Sequence, residues 1–235
     1  MSTVRWASGS AGARSVGGSE GTFVKRYELL FGPLAAAIFV FGVAGLAMLV
    51  PGYSHVHQTI SEIGEVGSPA QAPFTAVALL VAFCIAAFAV ALRNASSATG
   101  RSTVAAYLTG CMAISLAGVG IFAFPHPLHN VFGISELVGY QAPLGFALSW
   151  RSEPRAKNLV AFSWLMFLAI WIAIVLNLES LDPGGLLWQH VKPVIGIAQR
   201  ALFGAWFVWC AGTGLLLFNR AADRYADAGR PMQRC

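Results

Sequence analysis

Pro73-Phe-Thr-Ala-Val-Ala-Leu-Leu-Val-Ala-Phe-Cys-Ile-Ala-Ala-Phe-Ala-Val-Ala-Leu92 runs for twenty residues without a charged side chain, and Arg93 stands directly after it. Twenty helical residues rise about 30 Å, the thickness of the hydrocarbon core of a bilayer. The stretch is apolar on every side, as a helix immersed in lipid must be. Five more runs of this kind lie at 30–50, 104–124, 131–149, 159–178 and 194–218. Their connections are short, so consecutive helices should be antiparallel neighbours in one bundle. The expected architecture is all-α: a polytopic bundle of six transmembrane helices spanning 27–219, with a disordered tail at 1–26 and a second tail at 220–235. The composition agrees, with 57% hydrophobic against 11% charged residues, where soluble domains carry about a quarter charged.

The net charge of +5 does not point to nucleic acid, because the basic residues sit in short blocks between apolar runs. Arg5, Arg14, Lys25, Arg26, Arg93, Arg101, Arg151, Arg155, Lys157, Arg220, Arg224, Arg230 and Arg234 all fall on the side of the N-terminus. That is 13 of the 15, with only Lys192 and Arg200 opposite. Since loops rich in Lys and Arg stay inside, both termini are expected in the cytoplasm of a multi-pass protein of the cell membrane. Cys84, Cys111 and Cys210 lie within helices and Cys235 is the last residue, so no outer disulfide is expected.

The opposite side collects the chemistry. Tyr53-Ser-His-Val-His-Gln-Thr-Ile-Ser-Glu-Ile-Gly-Glu-Val-Gly-Ser-Pro69 has no Lys or Arg, and it carries His55, His57, Ser61, Glu62 and Glu65. His126, His129, His190, Glu179 and Asp182 fall in or beside the other outer connections. His129, Gly133, Glu136 and Tyr140 recur at helical spacing within an arc of about 60°, one stripe running inward from the outer surface. A carboxylate two turns deep must face the bundle, water or a cation. Arg200, beside Gln199 at a comparable depth in the last helix, is the cation expected to pair with Glu136, and such a pair is equally consistent with a purely structural role.

Each sharper reading has a plainer one beside it. His57, His126 and His129 are candidate ligands for a zinc-like divalent metal, but none of the diagnostic zinc spacings occurs. Ser54, Ser61 or Ser135 near His57, Glu62 or Glu136 raises nucleophilic catalysis, yet no GxSxG elbow is present. Thr59 or Ser61 with Glu62 or Glu65 reads more simply as the cap of a short helix. Trp164, Trp171, Trp206 and Trp209 read as packing or lipid contact.

The motif Ser54-His-x-His57-x-x-Ile60-Ser-Glu-Ile-Gly64-x-x-Gly67-Ser-Pro69, then Phe124-Pro125, then Gly196-Ile-Ala-Gln-Arg200, resembles a prokaryotic membrane family known as domain of unknown function 998. The resemblance covers about residues 28–218 and implies six helices in the plasma membrane, with no activity attached. It draws attention to Ser61, Glu62, Gly64, Pro69, Pro125, His129 and Arg200. Such proteins commonly carry an acidic residue after the third helix, and Phe124–His129 has none.

The favoured functional reading is a binding, sensing or accessory protein. Its outward-facing polar pocket, drawn from His55, His57, Glu62, His126, His129, Glu136, Tyr140, Gln199 and Arg200, would recognise a lipid headgroup, an ion or another membrane protein. The alternative is a membrane-embedded hydrolase acting at the outer leaflet, with Ser61, Glu62 or Glu136 as catalytic candidates and a metal as its possible cofactor. A third is a small proton-coupled transporter working through Glu136 and Arg200.

Overall fold

A computed structural model of the chain describes residues 26–181 and 184–228. Residues 1–25, Asp182, Pro183 and 229–235 lie outside them, and with them the expected disorder of the N-terminal tail. All regular structure among the described residues is helical, and six helical stretches are long and apolar enough to cross a membrane.

Helix α1 (Phe31–Ala47) follows a 3₁₀ turn at Glu28–Leu30. It stops before Pro51-Gly52, where Gly52 takes a φ of +74° that L side chains resist. Helix α2 (Gln71–Ala98) begins after Ser68-Pro69 and is followed by a turn at Gly100, whose φ is +65°. Helix α3 (Val104–Ile121) returns. Helices α4 (Pro127–Gly139) and α5 (Ala142–Trp150) together make the fourth span, α6 (Lys157–Leu178) the fifth, and α7 (Trp188–Val191) with α8 (Ile195–Ala228) the sixth. The second and sixth helices outrun the apolar segments at 73–92 and 194–218 because the backbone ladder continues under polar side chains. Hydropathy measures the lipid-facing length, not the helix.

The principal packing pairs are α1 with α2, α2 with α3, α3 with α4 and α5, α5 with α6, α6 with α8, and α8 with α1. The spans therefore form a ring in chain order, closed by the first against the last. Its core is apolar and so is much of its outer surface, which a soluble protein would cover with polar side chains. Phe41 is 77% and Met48 86% exposed, while His129 and Glu136 are only 6% and 5% exposed inside. Lipid as the surrounding solvent accounts for this arrangement.

The fourth span is broken at Tyr140-Gln141, and the break is internally satisfied. In an unbroken helix the carbonyl of Gly139 would receive the N–H of residue 143, but Pro143 has none. The buried indole of Trp206 supplies that donor at 3.2 Å. The Gln141 N–H has turned to the Val138 carbonyl, so the Leu137 carbonyl is taken instead by the Gln141 side-chain amide at 2.9 Å. Trp209 likewise donates to Ser163 at 3.0 Å.

Candidate functional site

At the end of the bundle that carries the Tyr53–Pro69 loop, the chain first makes a 3₁₀ turn over Ile60–Gly64. Thr59 caps it, and its backbone N–H and hydroxyl both donate to Glu62 Oε1, at 3.0 and 2.9 Å, in a capping box. Glu62 is thus engaged as a cap. The turn packs tightly, since a Cβ at Gly64 would run into the ring of Phe74. Beyond it, Gly67 at φ +88° and Ser68, whose hydroxyl donates to the Ile63 carbonyl at 2.7 Å, lead into α2.

The loop is strapped to the start of α8. Arg200 Nη1 donates to the carbonyls of His55, Gln58 and Gly196, each at 2.9 Å, and Nη2 donates to the Tyr53 hydroxyl at 2.5 Å. That hydroxyl in turn donates to the Thr59 carbonyl at 2.7 Å. One helical step away, the side-chain oxygen of Gln199 accepts from the Ile60 N–H at 2.5 Å, and the Gly196 N–H reaches the Val56 carbonyl at 3.0 Å. Gly196 is required there, because a Cβ would strike the carbonyls of His55, Val56 and Gln58. His57 Nδ1 lies 2.6 Å from the Pro193 carbonyl. Burial pushes the Tyr53 phenol up, against the lowering effect of Arg200, so the hydroxyl keeps the proton it donates. Burial, then the Arg200 charge, holds the His55 ring below its usual value.

The expected ion pair between Glu136 and Arg200 does not form. Arg200 is occupied by backbone carbonyls and Tyr53, while Glu136 Oε2 accepts from the Tyr140 hydroxyl at 3.1 Å and its buried Oε1 has no partner. A guanidinium with several N–H donors can be held by carbonyls and a hydroxyl through its two Nη groups without a carboxylate, although the buried Nε–H of Arg200 is left without a partner. The inward stripe itself is present, with His129, Glu136 and Tyr140 all buried.

His129 makes the contact that joins two parts of the site. Its Nδ1 lies 2.8 Å from the Phe122 carbonyl and its Nε2 3.0 Å from the hydroxyl of Ser61. A carbonyl can only accept, so in the neutral ring Nδ1 carries the proton and Nε2 offers its lone pair to Ser61. Ser61 also lines a narrow cavity of about 40 Å³, walled otherwise by apolar residues that include Phe39, Val43, Phe74, Val77 and Phe203. His126 stands apart as the cap of α4, its Nδ1 accepting from the Leu128 N–H at 3.1 Å. Among the described residues no three His, Cys, Asp or Glu side chains gather as a metal-binding group. Tyr53, Phe122 and Trp206 belong to the working structure although sequence reasoning did not single them out for it. The spacing of Gly196, Gln199 and Arg200 on one helical face was the available signal for the strap.

Residues 33–216 match the model of the family described as "Protein of unknown function (DUF998)". No curated protein and no solved structure matches the chain.

Proposed function

Because the chain belongs to the DUF998 family, whose description assigns no activity, the reading rests on its own residues. We propose that it is a binding protein of the cell membrane whose strapped loop faces outward and whose cavity receives a short segment of the acyl chain of an outer-leaflet lipid. The observation that supports this is the cavity itself: small, apolar along its walls, with Ser61 as its polar lining residue. Ligand sites are commonly built this way, apolar surface giving affinity and a few polar groups fixing orientation. An apolar slot accepts an alkyl segment more readily than water, which needs two or more polar partners. The 13 basic residues on the side of the termini support the outward orientation.

The test is lipid retention by the full chain purified in mild detergent and analysed by native mass spectrometry. Wild-type protein should keep a lipid through delipidation, and Val43→Phe, which fills the slot from a buried wall position, should lose it. Equal retention by the filled variant would sink the reading. A second reading, proton-coupled transport, is favoured by one observation: the fourth span breaks beside Glu136, whose Oε1 is buried and unpartnered. Proton flux in proteoliposomes that vanishes in Glu136→Gln would support it over lipid binding.

A further inference from the structure

We infer that Ser61 and His129 form a nucleophile and general-base pair that cleaves the ester of an acyl chain of which a short segment enters the cavity. The inference rests on the lipid-binding reading and adds a reaction to it. Three features support it. First, the hydroxyl and the imidazole are in contact at 3.0 Å, with the Phe122 carbonyl fixing the ring at 2.8 Å from the other side. This is the arrangement of a base oriented by a third group, with a backbone carbonyl where a carboxylate often stands. Second, Ser61 is one of the residues that line the apolar slot, so a chain entering there would bring its ester close to this residue. Third, the other serines near histidines in sequence are engaged elsewhere. Ser54 Oγ accepts from the His57 N–H at 3.4 Å, and Ser135 bonds Ser115 at 2.7 Å and donates to the Phe132 carbonyl at 2.7 Å.

The step balances without an absent reagent. Ser61 Oγ attacks the ester carbonyl carbon as its proton passes to His129 Nε2. Collapse of the tetrahedral adduct breaks the bond to the alcohol oxygen, which leaves with the proton from His129. Water, activated in the same way, then attacks the acyl-serine, and the products are a carboxylic acid and the restored hydroxyl. His129 thus acts as base and then acid in each half.

The full chain in lipid nanodiscs, treated with an alkyl fluorophosphonate, tests this by peptide mapping of the adduct. The expected result is an adduct on Ser61 that forms at the wild-type rate in Ser54→Ala and Ser135→Ala. His129→Gln should slow it by about 10²–10⁴-fold, the usual contribution of a positioned base. Fatty acid should be released from diacylglycerolipid vesicles by wild-type protein and not by Ser61→Ala. The wild-type map needs no variant, so misfolding of a variant cannot hide the answer. No adduct on Ser61 in protein that still retains lipid overturns the catalytic inference and leaves the binding reading standing. An adduct whose rate is unchanged in His129→Gln overturns the pairing, and loss of both labelling and lipid retention in folded wild-type protein overturns both readings.

Discussion

Replacing Trp206 by Phe tests how the broken fourth span is held. The indole N–H donates at 3.2 Å to the Gly139 carbonyl, in a place with no solvent exposure of the Trp206 side chain. The carbonyl lost its natural donor to Pro143, so Trp206→Phe leaves a buried acceptor unsatisfied, which costs about 1–3 kcal/mol. Part of the measured loss will be packing, because phenylalanine is smaller. Pro143→Ala separates the two: it returns an N–H at the position from which a regular helix would reach Gly139. In that background Trp206→Phe should lose only its packing part. Hydrogen bonds between membrane helices couple by roughly 0.6 kcal/mol on average and about 1.7 at most, so the double-mutant cycle should show about 0.5–1.5 kcal/mol of coupling. The assay is unfolding in mixed micelles by titration with a denaturing detergent, followed by tryptophan-independent far-ultraviolet dichroism. Strict additivity, with equal losses in the proline and alanine backgrounds, would refute the claim that Trp206 substitutes for the missing main-chain donor.

The remaining predictions concern the loop end. A reporter active only outside the cytoplasm should work when fused after residue 65, 128 or 185 and be silent after 97, 154 or 228; activity at 97 would overturn the orientation. Gly196→Ala should free the loop by forcing a methyl into three carbonyls, destabilising the protein by about 1–3 kcal/mol and raising amide exchange over residues 53–60, and unchanged protection there would contradict the strap. Glu136→Gln and Arg200→Gln should be additive within about 0.5 kcal/mol, since the two side chains have different partners; strong coupling would restore the ion pair. Because burial raises the folded Tyr53 phenol above its unfolded value of about 10, its contribution is present below that value and falls away as pH rises through the folded one. Tyr53→Phe should therefore flatten the alkaline limb of the stability curve, and an identical limb in the variant would exclude the phenol as its source.

The spans were legible because lipid demands a simple thing of a sequence, about twenty apolar residues, and the six runs state it openly. The cap at Thr59 and Glu62 was legible because both partners lie three residues apart. Likewise the buried stripe of His129, Glu136 and Tyr140 follows from helical spacing alone. What could not be read are partners that leave no trace in side-chain identity. Arg200 was assigned a carboxylate because charge is visible in a sequence, whereas the carbonyls of His55, Gln58 and Gly196 that hold it are present at every residue. Trp206 read as packing, which it is, but its hydrogen bond exists only because Pro143, in a different helix, removed a donor. The meeting of Ser61 with His129 depends on folding the first loop onto the third connection, 68 residues away, and no local pattern encodes that.

The strap also sets an order of events during synthesis. Arg200 stands 145 residues beyond the carbonyl of His55 that it grips, and chains emerge N-terminus first. The loop after the first span is therefore translated early but has no anchor until the last helix has been inserted and the ring of spans has closed. Up to that moment the carbonyls of His55, Val56 and Gln58 and the Ile60 N–H have no α8 to bind, and the slot beside Ser61 lacks its Phe203 wall. A nascent chain arrested before residue 196 would present this loop in an open form accessible to proteases. The last helix is in this sense the keystone of biogenesis, and protection of the first loop reports that the whole chain has been threaded into the membrane.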